Sequence, residues 1–166
     1  MASDVLAIYL NDHLAGSVAA LELIETLSEH EEPGALLQTL RGLHREISAD
    51  QQTLRELIGR LGAGESHMKR AAAWLGEKAG RAKLAIAARE DPALARLEGL
   101  ETLAMGIQGK RGLWRALAQV TEADARLEGP SYGELEVRAV AQYEIVERER
   151  LAAAREALAA GGASRR

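Results

Sequence analysis

The sequence predicts an all-α protein built from four long helices. Apolar residues recur every three or four positions through nearly all of its 166 residues, which is the helical period. Strand signals are nearly absent, because β-branched residues are few and no segment alternates cleanly between apolar and polar. Proline and glycine clusters interrupt the helical pattern at a few places only. The length suits a single domain spanning residues 1–166.

The first long helix is expected from about Asp4 to Ser28. Ser3 is a suitable N-cap, and Asp4 is favourable in the first turn. Pro33 and Gly34, in the stretch "EHEEPG", end the pattern. The stripe expected to face the core consists of Val5, Ile8, Asp12, Gly16, Ala19, Leu23 and Leu27.

The second long helix is expected from about Ala35 to Leu61, where "GAGES" breaks it. Its short link to the first helix makes the two antiparallel neighbours. Its buried stripe is expected to contain Leu37, Leu40, Leu43, His44, Ile47, Leu54, Leu57, Ile58 and Leu61.

A shorter connector helix is expected from about His67 to Arg89, within a connector of about 66–90, with Ser66 as its N-cap. A basic amphipathic helix can lie on an anionic membrane or bind an acidic partner. Its apolar stripe is rich in alanine and weakly hydrophobic, which favours an ordinary connector packed on the bundle. Its basic residues are Lys69, Arg70, Lys78, Arg81, Lys83 and Arg89.

The third long helix is expected from about Pro92 to Gln119, with Pro92 at its first position after Asp91. "EGPSYG" then breaks the chain, and the last helix is expected from about Gly133 to Ala160. The tail 161–166 is expected to be disordered. The apolar positions of the third helix are Leu94, Leu97, Leu100, Leu103, Ile107, Leu113 and Leu117.

Composition restricts the classes of function. The net charge of −4 gives no general attraction to nucleic acid, and no apolar run is long enough for a membrane span. The chain has no cysteine, and its first residues do not resemble a signal peptide. We therefore expect a cytoplasmic protein with no disulfide. Aromatic residues make up only 3%, so the core must consist of Leu, Ala, Ile and Val.

Several stretches carry a resemblance to a known family. "HREISADQQTLRELIGRLG", followed by a basic segment, resembles the stress-associated YciE/YciF-type members of the ferritin-like superfamily. "YLNDHLAG", "EKAGRAKL" and "GKRGLWRAL" are similar to stretches of a group of bacterial ferritin-like proteins of this length. The resemblance implies an antiparallel four-helix bundle with a connector helix between the second and third long helices. It also implies a di-iron centre, in which two helices each give one Glu and two others a Glu-x-x-His motif.

The ligand motif itself is missing. Residues at i and i+3 share one helix face, so Glu-x-x-His presents both ligands to one metal pair. Three residues before the four histidines stand Leu, Leu, Arg and Gly, so the chain contains no Glu-x-x-His. On the resemblance, Ser17 stands at a ligand Glu position, and Ala49 stands where a His would follow Glu46. We therefore predict that the di-iron site is degenerate.

A different metal site remains an alternative. Glu98 with Glu101, and Glu144 with Glu147, form i, i+3 pairs that could hold a hard divalent ion together with Glu46. Solvated helix faces explain the same pattern more simply, and we favour that interpretation. The candidate metal ligands are Glu46, Glu101, Glu144 and Glu147.

Polar residues inside the periodic faces are candidates for an interior site. Asp12 falls on the first helix's stripe, and a buried carboxylate is costly unless it is paired. We predict that Asp12 pairs with Lys110 or Arg111 as an internal structural tie. The alternative is a small-anion or metal pocket around Asp12, His13 and Glu101.

The sequence carries no enzymatic signature of the phosphate-loop, nucleophile-elbow or H-E-x-x-H type. We therefore predict a structural or protein-interaction module without a cofactor, rather than an enzyme. It is expected to bind an unidentified protein partner and to form a homodimer through alanine-rich or tryptophan-bearing faces. Trp74 and Trp114 are expected to be core or interface anchors rather than stacking platforms for a cofactor, with Trp114 as a candidate dimer contact. The alternative is a metal-binding or oxidoreductase-type protein that uses iron or another divalent metal at the four candidate carboxylates.

Overall fold

The computed structural model describes residues 5–62 and 90–159, which form four long helices and contain no strand. The helices are α1 (Val5–Glu29), α2 (Ala35–Arg60), α3 (Pro92–Val120) and α4 (Tyr132–Ala159). Two short 3-10 helices, Thr121–Ala123 and Ala125–Leu127, lead from α3 to α4. The all-α prediction is confirmed for these residues, with helix ends within one residue of those expected.

Several predictions fall on parts of the chain that are not described. The Ser3 cap, the connector helix at about 66–90 with its basic face, and the disordered tail 161–166 all lie outside the described residues. Within the described helices, none is long and apolar enough to cross a membrane.

The start of α3 follows the expected chemistry. The Asp91 carboxylate accepts hydrogen bonds from the backbone N–H groups of Ala93 (2.9 Å) and Leu94 (3.3 Å). Pro92 occupies the first turn, where a missing N–H costs nothing. The cap and the proline together set the point at which α3 begins.

Side-chain contacts show that α1 runs antiparallel to both α2 and α3. Glu25, late in α1, contacts His44, early in α2, whereas Ser17 contacts Gln51 further along α2. Late in α1, Leu27 lies against Gly99 near the start of α3. A Cβ at Gly99 would lie 2.7 Å from Leu27 Cδ2, so the absence of a side chain permits this close approach.

The helix α4 runs antiparallel to α2 and α3. Arg138 and Gln142, in the first half of α4, contact residues in the second half of α2 and α3. At the other end, Arg96 near the start of α3 contacts Glu156 near the end of α4 at 2.7 Å. Hence α1 and α4 point one way, and α2 and α3 point the other way. The end of α2 and the start of α3 consequently lie at opposite ends of the bundle.

The core is made mainly of leucine and isoleucine, as the composition predicted. The predicted stripes of α2 and α3 are almost wholly buried, with His44, Leu61 and Leu94 at their margins. The predicted stripe of α1 is correct only in its second half, where Leu23 and Leu27 are buried.

The first half of α1 is rotated relative to the prediction. Val5, Ile8, Asp12 and Gly16 are exposed, and the buried positions are Ala7, Leu10, Asn11 and Ala15. Apolar residues surround the first turns of this helix on all sides, so their spacing does not select one face.

Candidate functional site

A buried carboxylate, Asp50, lies at the centre of a polar network inside the bundle. Asp50 is only 2% exposed, on the core face of α2. Its Oδ2 atom accepts a hydrogen bond from Lys110 Nζ at 2.6 Å, and its Oδ1 atom accepts one from the Arg138 guanidinium. Because a buried carboxylate needs partners for its charge, these two cations make its burial tolerable.

Gln142 extends the network across the bundle. It is fully buried on α4, and its side-chain oxygen accepts a hydrogen bond from Lys110. Its amide nitrogen donates to Glu46 Oε2 at 2.9 Å. The network therefore joins α2, α3 and α4, and its two carboxylates balance its two cations.

The helical period places these side chains in the interior. Asp50 lies between Ile47 and Leu54 on the buried stripe of α2. Lys110 lies between the buried residues Ile107 and Leu113 of α3. Each polar residue thus occupies a position whose neighbours along the stripe are apolar, and burial follows from the packing of those neighbours.

Burial and ion pairing act in opposite directions on Lys110. Removal from water lowers the pKa of its ammonium group, whereas the charge and the hydrogen bond of Asp50 oppose part of that shift. Asp50 and Gln142 both accept hydrogen bonds from Lys110 Nζ, which places this group at the centre of the network.

The predicted tie between Asp12 and the basic pair of α3 is wrong. Asp12 is exposed, Lys110 contacts Asp50, and Arg111 donates to Glu136 at 3.3 Å. The cause is the rotation of α1 described above, which turns Asp12 outward. Of the two basic residues offered as partners, Lys110 makes its interior ion pair with Asp50 instead.

The neighbours of Asp12 have different environments. Asn11 is buried and donates from Nδ2 to the Ala7 carbonyl at 2.7 Å, while its Oδ1 atom has no hydrogen-bond partner within the described part of the chain. His13 is half-buried, and its ring meets the Tyr9 ring edge-on at 4.7 Å between centroids. Burial lowers the pKa of His13, and the charge of Asp12 opposes that shift.

The structure does not gather the four candidate metal ligands into one group. Glu101 and Glu147 both contact Arg150, at 3.2 Å and 2.6 Å, while Glu144 is exposed. Glu46 instead accepts a hydrogen bond from the amide of the network. Within residues 5–62 and 90–159, no three His, Asp or Glu side chains lie together in a way that could hold a metal ion.

Of the two roles predicted for Trp114, core anchor and dimer contact, the structure favours the core anchor. Its side chain is 1% exposed, and its ring lies 6.3 Å from that of Tyr132. The neighbouring residues Leu113 and Leu117 are also buried, so this face of α3 packs against the core. Trp74 lies outside the described residues.

A cavity of about 220 Å³ adjoins the network, between α1, α2 and α3. Its walls are mainly aliphatic and aromatic, with the polar network along one side. The cavity is lined by Asp12, His13, Gly16, Ser17, Ala20, Ile47, Asp50, Gln51, Leu54, Gly106, Ile107, Gly109, Lys110, Leu113 and Trp114. Glu101 is not among these residues, so the structure does not unite it with Asp12 and His13 in this pocket.

Sequence reasoning missed Asp50 and Gln142. A signal for Asp50 was available, because it interrupts the buried stripe of α2 between two apolar positions. Gln142 gives a similar signal, because it lies between the buried positions Ala139 and Val146 of α4. Neutral Gln142 links two charged groups, and nothing in its local sequence indicates that role.

The chain has no significant match among models of protein families, curated proteins or solved structures. Its functional interpretation therefore depends on its own residues and their geometry.

Proposed function

We propose that this protein is a ferritin-like helical bundle in which a charge-balanced polar network takes the place of a di-iron centre, and that it acts as a structural or protein-interaction module. The observation that carries the proposal is the hydrogen bonding of the buried Asp50 carboxylate. Both of its oxygens accept hydrogen bonds from cationic side chains in the bundle interior.

The directions of the helices support the ferritin-like part of the proposal. The helices α2 and α3 run in the same direction, so the end of α2 and the start of α3 lie at opposite ends of the bundle. A single long crossover is the arrangement found in ferritin-like folds. The resemblance of the sequence to that superfamily points in the same direction.

The residues present do not fit a di-iron centre. Such a centre needs several carboxylates with free lone pairs and two imidazoles aimed at one point. Here Lys110 and Arg138 bring positive charge to the buried carboxylate, and an approaching metal cation would meet electrostatic repulsion. Glu101 and Glu147 are directed to Arg150.

Exposed apolar side chains support self-association as a homodimer. Val5 is 77% exposed, and Ile8 and Tyr9 are also exposed on the first turns of α1. Val120 is exposed at the end of α3, which lies at the same end of the bundle. Light scattering over a range of concentrations should give a dimer mass, and Ile8→Glu should shift the equilibrium to monomer. A monomer at every concentration would contradict this part of the proposal.

The test of the proposed function is metal retention. The full chain is loaded aerobically with Fe(II), desalted and analysed for metal by mass spectrometry. We expect no iron above the level of an equal concentration of albumin treated in the same way. Iron retained at a fixed ratio to the chain would overturn the proposal and favour the metal-binding or oxidoreductase alternative.

A further inference from the structure

The cavity between α1, α2 and α3 is large enough to hold a small molecule. Its volume is about 220 Å³. An engineered cavity of about 150 Å³ lined by apolar side chains binds benzene. The floor of the cavity is formed by buried core residues, and its mouth, at Asp12, Gly16, Gly106 and Gly109, is open to solvent.

Glycines on two helices form the rim of the cavity. Gly16 on α1 and Gly106 and Gly109 on α3 line the cavity. A Cβ added at any of the three would meet no atom within 4 Å, so close helix contact does not explain them. None of the three has a positive φ, so backbone conformation does not explain them either. Glycine is unfavourable within a helix, and these three exposed glycines leave the mouth of the cavity free of side chains.

The charged and amide groups deepest in the wall already have partners, whereas the buried Trp114 indole N–H has no hydrogen-bond partner among the described residues. Lys110 donates to Asp50 and Gln142, and Gln51 donates to Ser17 at 2.9 Å. Ser17 in turn donates to the Leu14 carbonyl. A charged ligand would have to displace these bonds, whereas an apolar ligand would contact Ile47, Leu54, Ile107, Leu113 and Trp114.

We infer that this cavity is a binding site for a compact, uncharged and mainly apolar molecule about the size of a single aromatic ring. Binding gains contact with the aliphatic walls and removes apolar surface from water. The site is independent of the proposed scaffold function, because it needs neither a metal nor a second chain.

The test uses toluene as the probe and benzoate as a charged probe of similar size. Trp114 lines the cavity, so its indole N–H signal in a two-dimensional ¹H–¹⁵N NMR spectrum reports on occupancy. Trp74→Phe removes the other indole signal and identifies that of Trp114. We expect a saturable shift with toluene and none with benzoate. A saturable shift with benzoate, or no shift with toluene, would overturn the inference.

Two leucine substitutions on α3 form a matched pair. Gly106→Leu places a side chain at the cavity wall, whereas Gly112 does not line the cavity and has the same free space around its Cβ position. Both variants replace a helix-interior glycine, so both should fold. Gly106→Leu should weaken toluene binding at least tenfold, and Gly112→Leu should leave it unchanged. Equal effects of the two substitutions would contradict the assignment.

Discussion

Replacing Asp50 by Asn should leave the charge of Lys110 without its partner in the interior. The Asp50 side chain is 2% exposed and that of Lys110 is 13% exposed, so water can stabilise neither charge well. Breaking a buried ion pair by removing one partner costs about 3–5 kcal/mol. Asn keeps one acceptor oxygen, and Lys110 can lose its proton, so we expect a loss near the lower limit, about 3 kcal/mol.

The assay is equilibrium unfolding in urea at pH 7, with thermal unfolding as a second measurement. For a chain of this length a loss of that size lowers Tm by ~6–12 °C. Asp12→Asn is the matched control, since the same chemical change at an exposed carboxylate beside the same cavity should alter stability by less than about 0.5 kcal/mol.

A double-mutant cycle separates the ion pair from local effects. Lys110→Met removes the cation, and the double variant Asp50→Asn with Lys110→Met leaves no unpaired charge between these two positions. The remaining cation, Arg138, is 40% exposed and can reach water. The double variant should therefore lose less stability than the sum of the single variants, by about 1–3 kcal/mol. Additive losses, or equal effects of Asp50→Asn and Asp12→Asn, would refute this reasoning.

Three further predictions concern pH, helix packing and capping. Burial lowers the pKa of Lys110, so between that lowered pKa and the ordinary lysine value the unfolded chain binds more protons than the folded chain. The free energy of unfolding of the wild type, relative to that of Lys110→Met, should therefore rise from pH 7 to pH 10. A flat or falling difference in urea unfolding would contradict this. Gly112→Ala should stabilise the protein by up to ~1 kcal/mol, because alanine has the higher helix propensity. Gly99→Ala should give no such gain, because its Cβ would lie 2.7 Å from Leu27 Cδ2. Equal gains in Tm for the two variants would contradict the close contact between Gly99 and Leu27. Asp91→Ala should lower the free energy of unfolding by about 1 kcal/mol, because it removes the N-cap of α3. Asp91→Ser should restore most of that loss. An unchanged Tm in Asp91→Ala would show that the cap does not contribute to stability.

The sequence predicted the helices well because their ends carry local signals. Asp91 and Pro92 mark the start of α3, and the leucines of α2 and α3 repeat with one clear period. In α1 the apolar residues surround the first turns, so the choice between the Asp12 face and the Asn11 face depends on packing against the other helices. Local sequence carries no information about that choice.

The polar network was harder to predict because its members come from three helices. Lys110 and Arg111 were both candidates for an interior ion pair, and the choice of cation and of its carboxylate depended on how far the helices are rotated about their axes. Asp50 could have been suspected from its place in an apolar stripe. Its pairing with Arg138, 88 residues further along the chain, is a property of the assembled bundle.

The central claim is that cationic side chains, rather than a metal, neutralise the buried carboxylate of Asp50. The most direct measurement is a crystal structure of the protein soaked in Mn(II), with anomalous scattering used to locate the metal. The account predicts Lys110 Nζ within hydrogen-bond distance of Asp50 Oδ2, near 2.6 Å, and no anomalous peak beside that carboxylate. A manganese peak bound to Asp50, with Lys110 displaced from it, would contradict the account.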